Sequence, residues 1–254
     1  MIPIRDDNPT FHPSIVAYAI IGLNVASWIL LQGFGMYPQL MVSVFKFGVI
    51  PGELLGLVPP GTSIPVGQGM QYVVEATPNF LSVVTHMFMH GGWLHIIGNM
   101  WFLYVFGDNV EDSMGSVRFA VFYLLCGLAA LALQMITHPS SPVPMVGASG
   151  AISGVMGAYV ILFPRAPVHM LVFFGFFFTR IVVPAFFMLG YWFLLQLLGG
   201  FFSMGGTGGG VAFWAHVGGF VAGMLFVKPF CNPDRTSACR QRRGELQGLI
   251  RRVK

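Results

Sequence analysis

Charged side chains are so sparse in this chain that long tracts have none: residues 8–45, 119–164 and 181–227 contain no Asp, Glu, Lys or Arg. Such tracts cannot supply the surface of a water-soluble domain. About 20 predominantly apolar residues cross a bilayer as a helix, and each tract offers at least one run of that kind. The 254 residues are 55% hydrophobic and 9% charged, where an ordinary soluble domain carries roughly 25% charged residues. The fold class that follows is an all-α polytopic membrane protein.

Apolar runs and their breakers predict six spans, at about 14–34, 92–109, 117–136, 149–163, 181–198 and 211–230. They form one membrane domain, residues 1–230, followed by a basic tail, 231–254. Arg5, Asp6 and Asp7 precede a first run long enough to span, so no cleaved signal peptide is expected. Residues 36–85 carry Pro38, Pro51, Pro59, Pro60, Pro65 and Pro78 and read as a long interfacial loop with one or two short helices. Residues 168–178 are too short to span and are expected to be re-entrant or packed on the surface. Eight of the 13 basic residues fall at Lys228 or beyond. That asymmetry places the tail in the cytosol, against anionic headgroups. It points away from nucleic acid. Six spans then put both termini on the cytosolic side. Cys126, Cys231 and Cys239 form neither an even disulfide framework nor a metal-ligand spacing.

Polar residues inside these apolar runs carry the candidate chemistry, because a polar group there is costly. Ser149 opens the fourth and shortest span, within Gly147-Ala148-Ser149-Gly150. A serine at a helix start is ordinarily a cap; between glycines it is also open to close approach. His216 lies in the sixth span. His95 and Asn99, one turn apart, share a face of the second. All four fall near the outer ends of their spans. Gly150, Gly154 and Ala158 recur every four residues, as do Gly219 and Gly223. Such small-residue faces let two helices approach closely and would bring His216 to Ser149. Serine, imidazole base and a set of N–H donors are the parts of nucleophilic acyl transfer. No carboxylate stands at the same depth, so a dyad is expected rather than a triad. His86, His90 and His95 offer imidazoles for a metal, but without regular spacing or a carboxylate partner; no metal or cofactor is expected.

Three motifs in order, Gly147-Ala148-Ser149-Gly150, His95-x-x-x-Asn99 and Ala215-His216-x-x-Gly219-x-x-x-Gly223, resemble those of the rhomboid intramembrane serine proteases of the bacterial, six-helix type. The resemblance runs from about His86 to Lys228. It implies a six-helix bundle with a short central helix bearing the serine. It implies Ser149 as nucleophile, His216 as base and then acid, and an oxyanion hole of Asn99, His95 and the Ser149 N–H. It also implies structural roles for His86, His90 and Glu111. The substrates would be transmembrane segments of other proteins, and the location a bacterial plasma membrane. The chain departs from the family pattern in two places. Ser153 stands where some members have a Tyr packed on the catalytic His, leaving Phe213, Trp214 or Tyr159 to orient the base, and the first loop lacks a Trp-Arg pair. Ser153 is a rival nucleophile. The alternative function is a catalytically idle relative that binds transmembrane clients.

Overall fold

The computed structural model describes residues 2–175, 177–204 and 210–235; the basic tail beyond Arg235, with Cys239, lies outside the described residues. In chain order the elements are β1 (Ile2–Asp6), α1 (Ile15–Leu30), α2 (Gln39–Phe47), α3 (Pro51–Leu54), β2 (Ser63–Gly67), β3 (Met70–Val73), α4 (Ser82–Thr85), α5 (Trp93–Met114), α6 (Ser116–Thr137), α7 (Ser149–Leu162), β4 (Pro167–Phe174), β5 (Phe177–Pro184), α8 (Ala185–Ser203) and α9 (Phe213–Phe230). The molecule is mostly helical, and α6, α8 and α9 are long and apolar enough to cross a membrane. Helix α7 sits at the centre: residues 150–159 are all buried. At 14 residues it is about 21 Å long, short of the roughly 30 Å of a bilayer's hydrocarbon.

Glycine decides how closely the central helices meet. A Cβ on Gly219 would lie 1.9 Å from the Gly150 carbonyl oxygen, and one on Gly223 would lie 1.9 Å from that of Gly154. Gly157 is equally tight against the Phe220 carbonyl, at 2.1 Å. The α7 and α9 backbones therefore touch directly, along the small-residue faces read from the sequence. On its other side, α7 packs Gly154 against Cys126 and Gly150 against Ala130 of α6.

Two segments differ from the sequence reading. Residues 167–184 form an antiparallel hairpin, with β4 also paired to β1 in the order β1-β4-β5. The helix after it therefore begins at Ala185 rather than near 181. The reason is local: Val168, Val172, Thr179, Ile181, Val182 and Val183 are β-branched and favour strands, and Gly175 turns the chain at φ +61°. Burial alternates as a strand's should, with Val168, Met170 and Val172 inside. An unbroken apolar run hides that period-two signal. In the first long loop, β2 and β3 form a second hairpin around Gln68-Gly69, both at positive φ, the geometry of a tight hairpin turn. These small sheets qualify the all-α reading.

The end of α5 also differs. The span expected to end near 109 continues as a helix to Met114, with Glu111 and Asp112 buried. Their charges are used by the N-terminal segment. The Val16 and Ala17 N–H groups donate to the two Glu111 oxygens at 3.0 and 2.7 Å, and Ser116 Oγ donates to Oε1 at 2.6 Å. Glu111 thus serves the unpaired donors of the α1 N-terminus from a distant helix. His12 Nδ1–H and the Phe11 N–H donate to Asp112, and Asn8 and Asn109 exchange two hydrogen bonds. These contacts strap residues 8–17 across the end of the bundle remote from Ser149.

Candidate active site

The first turn of α7 carries Ser149, and the helix's N-cap position is Ala148. The serine hydroxyl does not cap. Ser149 Oγ donates to His216 Nε2 at 2.8 Å. That contact follows from the α7–α9 glycine interface, since His216 stands one turn before Gly219 on the same face of α9. Ser153 is turned away: its Oγ donates to the Ser149 carbonyl at 2.6 Å within its own helix, and Ser153 is fully buried.

His95 and Gly147 meet beside the serine. Gly147 holds φ +126°, and a Cβ there would lie 2.7 Å from His95 Nε2 and 3.5 Å from Ser149 Oγ. A side chain at 147 would therefore fill the space between imidazole and hydroxyl, so only glycine leaves it open. The loop is held in place from behind. The Gly147 N–H donates to the His86 carbonyl at 2.9 Å, and His86 Nδ1–H donates to the Ser82 carbonyl at 2.9 Å. Gln32 clamps His90 on both sides of its backbone, at 2.7 and 2.8 Å, and the His90 ring lies edge-on to His95 at 5.1 Å.

The His95 tautomer follows from its neighbours. The Gly91 N–H donates to His95 Nδ1 at 3.2 Å, so a neutral ring carries its proton on Nε2. That is the nitrogen facing the open space over Gly147. Asn99 is buried, and its Nδ2 has no partner among the described residues. A buried donor left unpaired costs free energy, unless a ligand oxygen is to receive it. The backbone N–H of Ser149, in the first helical turn, has no intrahelical acceptor and lies at the positive end of the α7 dipole. A cavity of about 10 Å³ beside the serine, lined by Met145, Val146, Gly147 and Ala212 among others, has room for about one water. A roomier cavity of about 400 Å³ lies in the first loop, between α2, α3 and the β2–β3 hairpin, and none of these residues reaches it.

The aromatic residues expected to orient His216 are occupied elsewhere. Tyr159 Oη donates to Asp6 at the opposite end of α7, about 15 Å along the helix from Ser149. Phe213 lies on Gly199 and Trp214 on Gly200, fastening the end of α8 to the start of α9. The partner of His216 is Gln196 of α8: its Oε1 accepts from His216 Nδ1–H at 2.8 Å. The Trp192 ring lies 5.9 Å from the imidazole. Gln196 escaped the sequence reading. Its one signal was a solitary amide in the apolar run from Phe186 to Leu198. Among the described residues no cluster of His, Cys, Asp and Glu could hold a metal ion, and His86, His90 and His95 do not form one.

The molecule is thus a helical bundle with helices apolar and long enough to cross a membrane, in which a serine hydroxyl meets an imidazole with His95 beside them. The Rhomboid domain model matches residues 77–233, and the chain belongs to the rhomboid family of integral membrane proteins. It is similar to Rhomboid protein 1, mitochondrial, of Saccharomyces cerevisiae, 24% identical over 221 residues, 85% of this chain and 53% of the yeast protein. It is similar to Rhomboid protease GluP of Bacillus subtilis, 33% identical over 138 residues, 50% of this chain and 26% of that one. It also resembles Inactive rhomboid protein 1 of Drosophila melanogaster, 32% identical over 89 residues, 35% of this chain and 6% of the fly protein. The chain spans about half the length, or less, of these relatives.

Proposed function

We propose that this chain is a serine endopeptidase that cleaves transmembrane segments of other membrane proteins. The observation that carries the reading is the 2.8 Å hydrogen bond from Ser149 Oγ to His216 Nε2. His216 takes the hydroxyl proton as Ser149 Oγ attacks the scissile carbonyl, and then returns it to the leaving amine. The oxyanion forms in the space over Gly147. His95 Nε2–H, Asn99 Nδ2 and the Ser149 N–H converge there as donors. Water then resolves the acyl-enzyme. Because a helix shields its own peptide bonds, the favoured substrates are segments that unwind locally near the bilayer surface.

The proposed topology takes α1, α5, α6, α7, α8 and α9 as six spans in one membrane domain, with Ser149 toward the outer face. Both termini then lie in the cytosol, here of a bacterial cell, and the basic tail rests on anionic headgroups. The short α7 explains a serine below the membrane surface. The idle-relative reading gains from the inactive fly protein, but here the serine and imidazole remain hydrogen-bonded.

Purified wild-type protein should react with a fluorophosphonate probe and cleave a model transmembrane substrate, and Ser149→Ala should abolish both without changing the unfolding temperature. Cleavage that persists in Ser149→Ala would remove the nucleophile assignment. A wild type inert to both probe and substrate would favour the idle binder.

A further inference from the structure

We propose that Gln196 is a positioning residue that fixes the tautomer of His216; the proposal rests on reading Ser149 and His216 as nucleophile and base. A neutral imidazole carries one N–H, and only the form with Nε2 unprotonated can take a proton from serine. His216 offers its two nitrogens to two different partners, Gln196 Oε1 and Ser149 Oγ, each at 2.8 Å. An amide oxygen only accepts, so its contact holds the proton on Nδ1 and leaves the Nε2 lone pair for the hydroxyl.

The assignment depends on which end of the amide faces the ring, and a second contact supports the oxygen. Gln196 Nε2 donates to the Trp192 carbonyl, one turn earlier on α8, at 3.5 Å. A carbonyl accepts and cannot donate, so this contact favours the orientation with the amide nitrogen toward Trp192 and the oxygen toward His216. The imidazole is thus held from both sides, by α7 through Nε2 and by α8 through Nδ1. Trp192, on the same face of α8 as Gln196, closes over the ring and also approaches Phe220 at 6.1 Å.

Among the described residues, the amide is the acceptor that orients the ring on this side. The α8 and α9 residues around it, 181–227, contain no Asp, Glu, Lys or Arg, and neither does α6 beyond Arg118 or α7. The titratable side chain on the Ser149 side of the ring is His95 of α5, beside Gly147. In the serine triads, a carboxylate both orients the imidazole and stabilises the imidazolium. Here a neutral amide supplies orientation without the charge.

Two substitutions of Gln196 separate these properties in the full chain, purified in detergent. Gln196→Met keeps the shape and loses the amide acceptor; Gln196→Glu keeps an acceptor and adds a charge. The readouts are the rate of Ser149 labelling by a fluorophosphonate between pH 5 and 9, the unfolding temperature, and the ¹⁵N shifts of His216. Gln196→Met should label roughly 10- to 100-fold more slowly at every pH, the loss of one part-buried hydrogen bond. Its unfolding temperature should be nearly unchanged, and its His216 shifts should move from an Nδ1-protonated form to a mixture. Gln196→Glu should recover most of the rate at high pH, with its acid limb displaced upward by about one unit or more, because the carboxylate favours the imidazolium. Wild-type labelling rate and unchanged ¹⁵N shifts in Gln196→Met would overturn the proposal. So would a Gln196→Glu profile superimposable on the wild type, which also decides the matter if the Met variant does not fold. A wild type that is not labelled through Ser149 would instead overturn the protease reading, and the ¹⁵N shifts would still report whether Gln196 sets the tautomer.

Discussion

At the scale of single residues, the site is defined as much by what is left unpaired as by what is bonded. Ser149 and His216 satisfy each other, His95 has one nitrogen occupied by the Gly91 N–H, and Asn99 Nδ2 has no partner among the described residues. A buried donor that waits for the oxyanion contributes only when charge develops, which raises kcat rather than ground-state binding. Asn99→Ala should therefore lower kcat of model-substrate cleavage by about 10²–10³-fold, the usual cost of one oxyanion donor. KM should change little and the unfolding temperature should not fall. A loss confined to KM would show that Asn99 binds substrate rather than the transition state. Ser149, His216, His95 and Asn99 were all legible as candidates in the sequence, because polar residues are conspicuous in apolar runs. Gln196 was not singled out, since nothing in its local pattern says that it faces an imidazole 20 residues away.

Between elements, the α7–α9 interface does the positioning. Gly157, Gly219 and Gly223 are not replaceable, since the nearest atoms are backbone and cannot rotate aside. Gly219→Ala should push the two helices apart and destabilise the protein by about 1–3 kcal/mol. It should also slow fluorophosphonate labelling of Ser149, because the dyad is built across that interface. Gly190→Ala in α8 is the matched control: a Cβ there meets nothing within 4 Å, so it should be neutral or stabilise by up to about 1 kcal/mol through helix propensity. Thermal unfolding of both variants in detergent checks the contrast. Equal effects would mean that the loss reflects glycine removal in general rather than this contact.

For the whole molecule, the end opposite Ser149 is tied together by strap residues 2–17. Asp6 of β1 receives the Tyr159 hydroxyl, and burial, outweighing that hydrogen bond, pushes its carboxyl up to about 6. A folded-state value above the unfolded one means that the native protein holds the proton more tightly. Stability from this group is therefore present at low pH and declines as pH rises from about 4 to about 6. Asp6→Asn removes that dependence. The unfolding temperature of the wild type relative to Asp6→Asn should be higher at pH 4.5 than at pH 7.5. A constant difference across that range would show that Asp6 does not titrate in this window.

The sequence by itself determined that the chain is a membrane protein, roughly where its helices lie, and which serine and histidine could pair. Charge-free apolar tracts and four-residue glycine repeats are one-dimensional signals, and the energetic cost of polar groups in a bilayer makes exceptions visible. Only the tertiary structure decided that residues 167–184 leave the helical pattern for a hairpin, since a continuous apolar run fits either period. Only it carried α5 past residue 109 to Met114, where Glu111 and Asp112 cap and brace an N-terminal strap. And it alone gave His216 its acceptor. Residues whose local pattern is unremarkable acquire a role when a distant helix places a donor or acceptor opposite them, and for Gln196 that placement is the crossing of α8 and α9.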